Sequence, residues 1–345
     1  MKKKKVLNVT TSIVLGMGVL FTTPFTVGAV GEGPGYTGNE SIQTSILHTH
    51  EEMVDFLQNQ EAKQDVLELE VFGQSVKGRD LYLAKYETDP SNPSVLFLTQ
   101  QHGNEALTTE GALDFIKQLG TGKMKGILDQ VNVYVVPMFN ADGAMGDVNF
   151  SLEDYVADGD RHLTRYNANH YDLNREHDKT TEDMQPEARA LHENVFQKYD
   201  IDYMIDFHHQ GRNSERDGKL VSGSILHPTT PNVDEEVLEG SKRLGAIVFD
   251  AIQSKGWGHL GKYRGGSSDN IGRNGIAARY DISTVLFEMR GMADHYYEPY
   301  VLGQKSNGYI IKQAVTTMEE TVRAIADGSV ETADTSFWDT LDYQQ

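Results

Sequence analysis

Apolar residues along this chain fall into short, dense runs separated by polar, glycine-bearing stretches. Val66–Phe72 and Leu81–Tyr86 are two such runs on either side of a turn containing Gly78, the arrangement of a β-hairpin. Four more have the length and β-branched content of buried strands: Val95–Thr99, Val131–Met138, Tyr203–Phe207 and Thr284–Glu288. Helical spacing occupies the intervals, in Glu51–Asn59, Thr109–Leu119, Gln185–Lys198, Val237–Ser254 and Tyr309–Ala326. Strands alternating with helices predict an α/β, three-layer sandwich in which helices flank a mixed, twisted central β-sheet. The opening hairpin argues against a purely parallel sheet.

The two ends break this pattern. Lys2–Lys5 form a basic block, Ile13–Phe21 an apolar run, and Val27-Gly28-Ala29 a small-residue site, which predicts a secretory signal peptide over 1–29. Residues 30–43 read as a flexible, Gly- and Pro-rich entry, 44–328 as one catalytic domain and 329–345 as an acidic tail. An exported chain, secreted or held at the cell wall, is expected, with no stable membrane association once the signal is cut. A hydrophobic content of 38% and a charged content of 24% exclude wholesale disorder and a multi-pass membrane protein. There is no cysteine, hence no disulfide framework, thiol nucleophile or Cys-based zinc site. The net charge is −20; losing four of the 31 basic residues with the signal leaves 27 against 51 acidic, or −24. Such a surface repels phosphate backbones, so nucleic acid is not an expected partner. A monomer is expected.

The residues with chemical potential gather at strand ends, where open α/β sheets bind ligands. His102-Gly-Asn-Glu105 follows the third strand run, and an imidazole and a carboxylate three apart can meet one cation. Asp206-Phe-His208-His209 follows the fifth and can supply a third ligand, leaving a fourth zinc position open as catalytic sites do. Alternation along a strand sends neighbours to opposite faces, so only one of the two histidines fits. Arg165 and the run Asp172-Leu-Asn174-Arg175 offer guanidinium forks for a carboxylate or a developing oxyanion. Glu288 closes an apolar run, where desolvation raises a carboxyl toward general-base values.

In this order the clusters resemble the zinc metallocarboxypeptidase family, the carboxypeptidase A-like fold, over about Thr44–Gly328. The most specific stretch runs from Pro93 through His102-Gly-Asn-Glu105 to Thr108 and is similar to the family's first zinc signature. Gly73-Gln-Ser75-Val-Lys-Gly78-Arg79 resembles its hairpin motif, and Pro137-Met-Phe-Asn140-Ala-Asp142-Gly143 its Pro-x-x-Asn-Pro-Asp-Gly turn, with Ala141 in place of the proline. The resemblance implies one zinc ion per chain on His102, Glu105 and His208, with Asp172 holding a ligand histidine. It implies Arg165 polarising a scissile carbonyl, Asn174 and Arg175 clasping a terminal carboxylate, and Glu288 as general base to a zinc-activated water. Tyr263 would be the mobile tyrosine, with Tyr280 as the alternative. The implied substrate is a peptide or protein C-terminus, cut without a large pro-domain. A cell-wall peptidase or amidase acting on γ-D-glutamyl bonds, and an inactive peptide-binding relative, remain alternatives. The pocket floor is expected within Gly265–Arg279, where Asp269 would favour basic terminal residues, Arg273 acidic ones and Ser268 neutral ones.

Overall fold

A computed structural model describes residues 47–122, 124, 126–152, 163–211, 213–255, 258–291 and 304–345, with side chains of the last stretch from residue 308. The signal-peptide expectation and the flexible entry over 30–43 lie outside the described residues.

The chain opens with helix α1 (His50–Glu61), started by a reciprocal cap between Thr49 and Glu52. Strands β1 (Glu68–Gln74) and β2 (Asp80–Tyr86) form the expected antiparallel hairpin, turned at Gly78, whose φ of +82° favours glycine. Strand β3 (Ser94–Thr99), helix α2 (Leu107–Leu119), strand β4 (Asn132–Val136) and the short helix α3 (Ala141–Met145) follow. After α4 (Pro186–Leu191) come β5 (Tyr203–Gln210), the two-residue strands β6 (Glu215–Arg216) and β7 (Lys219–Leu220), and β8 (Gly223–Leu226). Then come α5 (Glu235–Gln253), β9 (Leu260–Lys262), α6 (Gly272–Tyr280), β10 (Ser283–Arg290), α7 (Gln304–Ala326) and α8 (Phe337–Thr340). Eight strands make one mixed sheet in the order β1-β2-β4-β3-β5-β10-β8-β9. Its centre, β4-β3-β5-β10, is parallel, and antiparallel pairings at β2–β4 and β10–β8 lead into the two flanks. Helices pack against it as an α/β sandwich, with α7 lying between α2 and α5. Among the described residues no helix is long and apolar enough to cross a membrane.

β3 and β10 are buried at every position and β5 at all but His209, which is why they read as unbroken apolar runs. Their alternation separates two kinds of face. Phe97, Phe207 and Phe287 form a row of edge-to-face rings, 6.1 and 5.8 Å apart, with Phe115 of α2 set 5.4 Å from Phe97. Asp206, His208 and Glu288 alternate with these rings and point to the other side of the sheet. β5 and β10 run parallel with Glu288 directly opposite His208.

Several boundaries differ from the sequence expectation. β5 runs on to Gln210 and β10 to Arg290, so His208 lies inside its strand rather than after it, and Glu288 inside its strand rather than at the end. The helical stretch Gln185–Lys198 divides into α4 and a π turn, His192–Phe196. α6, β8 and β9 have no counterpart among the predicted elements: the strands are four and three residues long, too short to show a period. The segment expected as an acidic tail folds back onto the domain. Val330, Trp338 and Leu341 are buried, the Trp338 indole donates to the Lys242 carbonyl at 3.0 Å, and the main chain of 342–345 bonds to Lys262 and Glu215. Its acids face solvent while its few apolar residues hold it down.

Candidate metal centre and substrate pocket

The loop after β3 is held by its neighbours more than by its own sequence. Gln100 sits at φ +56°, and its side chain donates to the Gly103 carbonyl at 2.8 Å. Gly103 passes so close to Gly143 that a Cβ there would lie 2.2 Å from backbone carbon, so the position needs glycine. Asn140 joins three segments: it caps α3 by accepting from Gly143 N–H at 3.0 Å and donates to the carbonyls of Gln101 and Arg165. Asp142, fully buried, accepts from Ser75 Oγ at 2.8 Å, Lys77 N–H at 2.9 Å and Arg79 Nη1 at 2.7 Å. The hairpin turn thus docks on the turn that positions the His102 loop, which gives these two motifs a shared physical purpose.

His102, Glu105 and His208 converge, each offering one ligand atom within 4.8 Å of the others. His102 Nδ1 lies 2.8 Å from Glu105 Oε1 and 3.0 Å from His208 Nδ1, which is itself 2.9 Å from Glu105 Oε2. Each imidazole turns its other nitrogen to a carboxylate: His102 Nε2 is 3.1 Å from Asp172 Oδ1, and His208 Nε2 is 2.9 Å from Asp206 Oδ1. Those carboxylates hold the N–H at Nε2 and leave both Nδ1 lone pairs facing inward. Two lone pairs and an anionic carboxylate meeting in a buried space repel one another unless a cation sits among them. A His₂Glu set with room for a further ligand suits zinc. Burial would raise the Glu105 pKa, but His102 and His208 outweigh it and bring it below the usual range. Burial likewise opposes a charged His208, yet Asp206 and Glu105 prevail and raise its pKa.

Around this cluster stand the other sequence candidates. Arg165 grips Asp172 through Nε and Nη2 at 3.0 and 2.8 Å and brings Nη1 to 3.2 Å from His102. Glu288 is buried one strand over, and desolvation raises its pKa to about 7 against the pull of His208. Tyr263 is half-buried near Glu288, whose charge, with burial, raises the phenol pKa. Tyr280 is placed elsewhere, bonded to His192 Nδ1 at 2.7 Å and stacked on Phe196. Arg175 is exposed. Asn174 is buried, its Oδ1 taken by Gly272 N–H at 2.7 Å, so only its Nδ2, 3.4 Å from His208 Nε2, is left to donate. His209, on the other face of β5, has no shared ligand atom with the cluster.

Two participants escaped the sequence reading. Asp206 carries a signal in Asp-x-His, since i and i+2 on a strand share a face. Gln101, which donates to Asp206 Oδ2 at 2.7 Å, carries no sequence signal at all.

The architecture is therefore a mixed-sheet α/β sandwich with a His–Glu–His metal-ligand cluster at the carboxyl ends of its central strands. Residues 53–214 match the zinc carboxypeptidase family model. A zinc carboxypeptidase of Saccharothrix mutabilis subsp. capreolus is 31% identical over 137 residues, 37% of this chain and 30% of that protein. Mouse carboxypeptidase D is 27% identical over 198 residues, 52% of this chain and 14% of that protein. The matches thus span less than a third of these relatives' length. In fold, the chain is similar to carboxypeptidase A from Helicoverpa armigera, with a TM-score of 0.61 at 16% identity, covering 83% of this chain and 76% of that one. Bovine thrombin-activatable fibrinolysis inhibitor, solved in complex with tick carboxypeptidase inhibitor, gives a TM-score of 0.59 at 14% identity and covers 82% and 98%. The sequence likeness to zinc carboxypeptidases thus covers residues 53–214, just under half of the chain, and the likeness in fold extends beyond them.

Proposed function

We propose that this chain is a zinc-dependent carboxypeptidase that removes residues one at a time from the carboxyl ends of peptides. The observation that carries the reading is the inward-facing set of His102, Glu105 and His208, with a carboxylate, half-buried Asp172 or buried Asp206, behind each histidine. Zinc held there would supply Lewis acidity to a scissile carbonyl and acidify a water. The protein's own groups do the rest. Glu288, desolvated and beside the cluster, takes the proton from the attacking water and later returns it to the leaving amine. Arg165 keeps Nη1 on the cluster side, where it meets the oxyanion as it forms. Arg175 and the free Nδ2 of Asn174 hold the terminal carboxylate, which sets cleavage one residue from the end. Tyr263, already against Glu288, closes over the bound residue. An inactive relative is disfavoured because His102, Glu105, His208, Arg165 and Glu288 are all present in the sequence.

Export is part of the proposal and rests on Lys2–Lys5, the apolar run and Ala29. So does a single catalytic unit over 44–328, to which the folded-back 329–345 segment adds packing.

The test is purified protein on a peptide panel read by mass spectrometry, with Glu288→Gln alongside. Stepwise loss from the carboxyl end, stopped by a chelator and by the variant, is expected. Internal cuts, or cleavage indifferent to metal, would overturn the reading. Cleavage of muropeptides alone would replace the substrate class with the cell-wall one.

A further inference from the structure

The sheet ends at β9, and its outer edge is covered. Residues 342–344 lie along it in parallel, with Tyr343 opposite Lys262. Lys262 N–H donates to the Asp342 carbonyl and Gln344 N–H to the Lys262 carbonyl, each at 2.9 Å. On its inner side β9 pairs with β8, and Tyr263 N–H extends that pairing to the Ile225 carbonyl at 3.0 Å. One residue further on, Gln345 and Glu215 of β6 exchange main-chain bonds at 2.8 and 3.1 Å. Side chains repeat the clasp. Lys262 Nζ lies 5.2 Å from the centre of the Tyr343 ring, and the Arg264 guanidinium 5.3 Å from it. Arg264 Nε donates to the Gln344 carbonyl at 2.9 Å, and Lys262 Nζ to the Trp338 carbonyl at 3.2 Å.

Tyr263 therefore sits between two residues that both rest on one aromatic ring. That ring is 46% exposed, so burial alone does not account for its place. The segment carrying it is anchored before Tyr343 by buried Trp338 and after it by β6. Tyr263, Arg264 and Tyr343 also line one cavity of about 430 Å³. Main chain that is bonded along both edges opens rarely, because several bonds must break together. We propose that Tyr343 is a positioning residue for Tyr263: the strap over 342–345 fixes the backbone on either side of that tyrosine, and the phenol reaches substrate by side-chain rotation alone. This rests on the carboxypeptidase reading above for the task of Tyr263. The segment is then ordered by folding and not by substrate, so binding substrate carries less entropy loss.

The test has two arms. The first needs no catalysis: limited trypsin digestion of the whole protein, read by mass spectrometry at the bonds after Lys262 and Arg264. No Lys or Arg lies between Arg323 and residue 345, so trypsin leaves the strap itself intact. Tyr343→Ala and Gln344→Pro, which removes the N–H bonded to Lys262, should each speed cleavage at these two bonds by about tenfold. Cleavage after Lys63, in the turn beyond α1, serves as the internal reference and should not change. Tyr343→Phe keeps the ring and should behave as wild type. If Tyr343→Ala does not fold, Gln344→Pro carries the same comparison. The second arm is steady-state kinetics on a peptide that the wild type trims. Tyr343→Ala should raise KM by about three- to tenfold with a smaller change in kcat, and zinc content should stay the same. In a Tyr263→Ala background the same substitution should add nothing to KM, an outcome that a general loss of stability would not produce. Unchanged trypsin cleavage overturns the strap. Faster cleavage with unchanged KM, or with a KM effect that persists without Tyr263, overturns the positioning role and leaves the carboxypeptidase standing. If the wild type trims no peptide, the carboxypeptidase reading falls by itself, and the trypsin arm still decides whether Tyr343 holds the Tyr263 segment.

Discussion

Two buried histidine pairs lie close together in this molecule, and they are built to opposite ends. His102 and His208 meet Nδ1 to Nδ1 at 3.0 Å, both turned toward Glu105, with a carboxylate behind each ring. His177 and His192 meet Nδ1 to Nε2 at the same distance, one donor facing one acceptor, with no carboxylate at either end: Gln101 Oε1 at 3.0 Å on one side, the Tyr280 hydroxyl at 2.7 Å and Arg279 Nη1 at 3.4 Å on the other. Burial is equal in the two pairs. Charge around them is not. Asp206 and Glu105 overcome desolvation and raise the His208 pKa, whereas desolvation dominates at His177 and His192 and lowers both. Burial alone therefore makes a structural pair, and a carboxylate behind each ring makes a cation site.

The pairs are also joined. The Tyr280 hydroxyl donates to His192 Nδ1, His192 Nε2 to His177 Nδ1, and His177 Nε2 to Gln101 Oε1. Gln101 Nε2 then donates to Asp206, whose other oxygen lies 2.9 Å from His208 Nε2. As far as Asp206 each donor in that direction meets an acceptor, and the chain ends at His208 with Nδ1 turned inward. The neutral pair fixes the tautomer of the other through two intermediaries.

The comparison can be broken most sharply by removing a ligand. Glu105→Gln is expected to leave little zinc after dialysis, read as metal content per chain, while His192→Asn keeps one ion per chain. Equal losses in both would erase the distinction. Next in size is Glu288→Gln, which lies beside the cluster without belonging to it. It should lower kcat by about 10²–10⁴-fold with zinc content unchanged, since only the proton acceptor is lost. A smaller effect is expected behind the ligands. Asp172→Asn and Asp206→Asn should each weaken zinc by about 10–100-fold in competition with a chromogenic chelator. His177→Gln, two hydrogen bonds further out, should change it less than either.

The sequence carried one of these pairs and not the other. His102-x-x-Glu105 and Glu288 were legible because strand ends and short spacings are local features. The fold was legible for the same reason, since β3, β5 and β10 are buried on both faces and read as unbroken apolar runs. His177, His192 and Gln101 were not legible: they bond across 15, 76 and 105 residues, and nothing near each one in the chain marks it. The 329–345 segment was misjudged on composition, where four acids outweighed a tryptophan that proves to anchor it on α5.

The mildest test separates the pairs by acid. His177 takes its last proton only near pH 4 when folded, held down chiefly by burial, and near pH 6.5 when unfolded. Its lowered folded pKa means that the unfolded chain binds the proton first as pH falls. The neutral pair's contribution is thus complete above about pH 6.5 and is lost as pH drops toward 4, up to about 3 kcal/mol for His177. The groups facing it pull both ways, Asp206 and Asp172 favouring the proton and His208 and Arg279 opposing it, yet desolvation prevails. Thermal melts of the metal-free protein between pH 7 and 5 should therefore show a falling Tm. His177→Gln, which cannot take a proton, should flatten that fall even if its Tm at pH 7 is lower. An unchanged slope would mean that His177 is protonated in the fold, and the two histidine pairs would then differ in partners but not in charge.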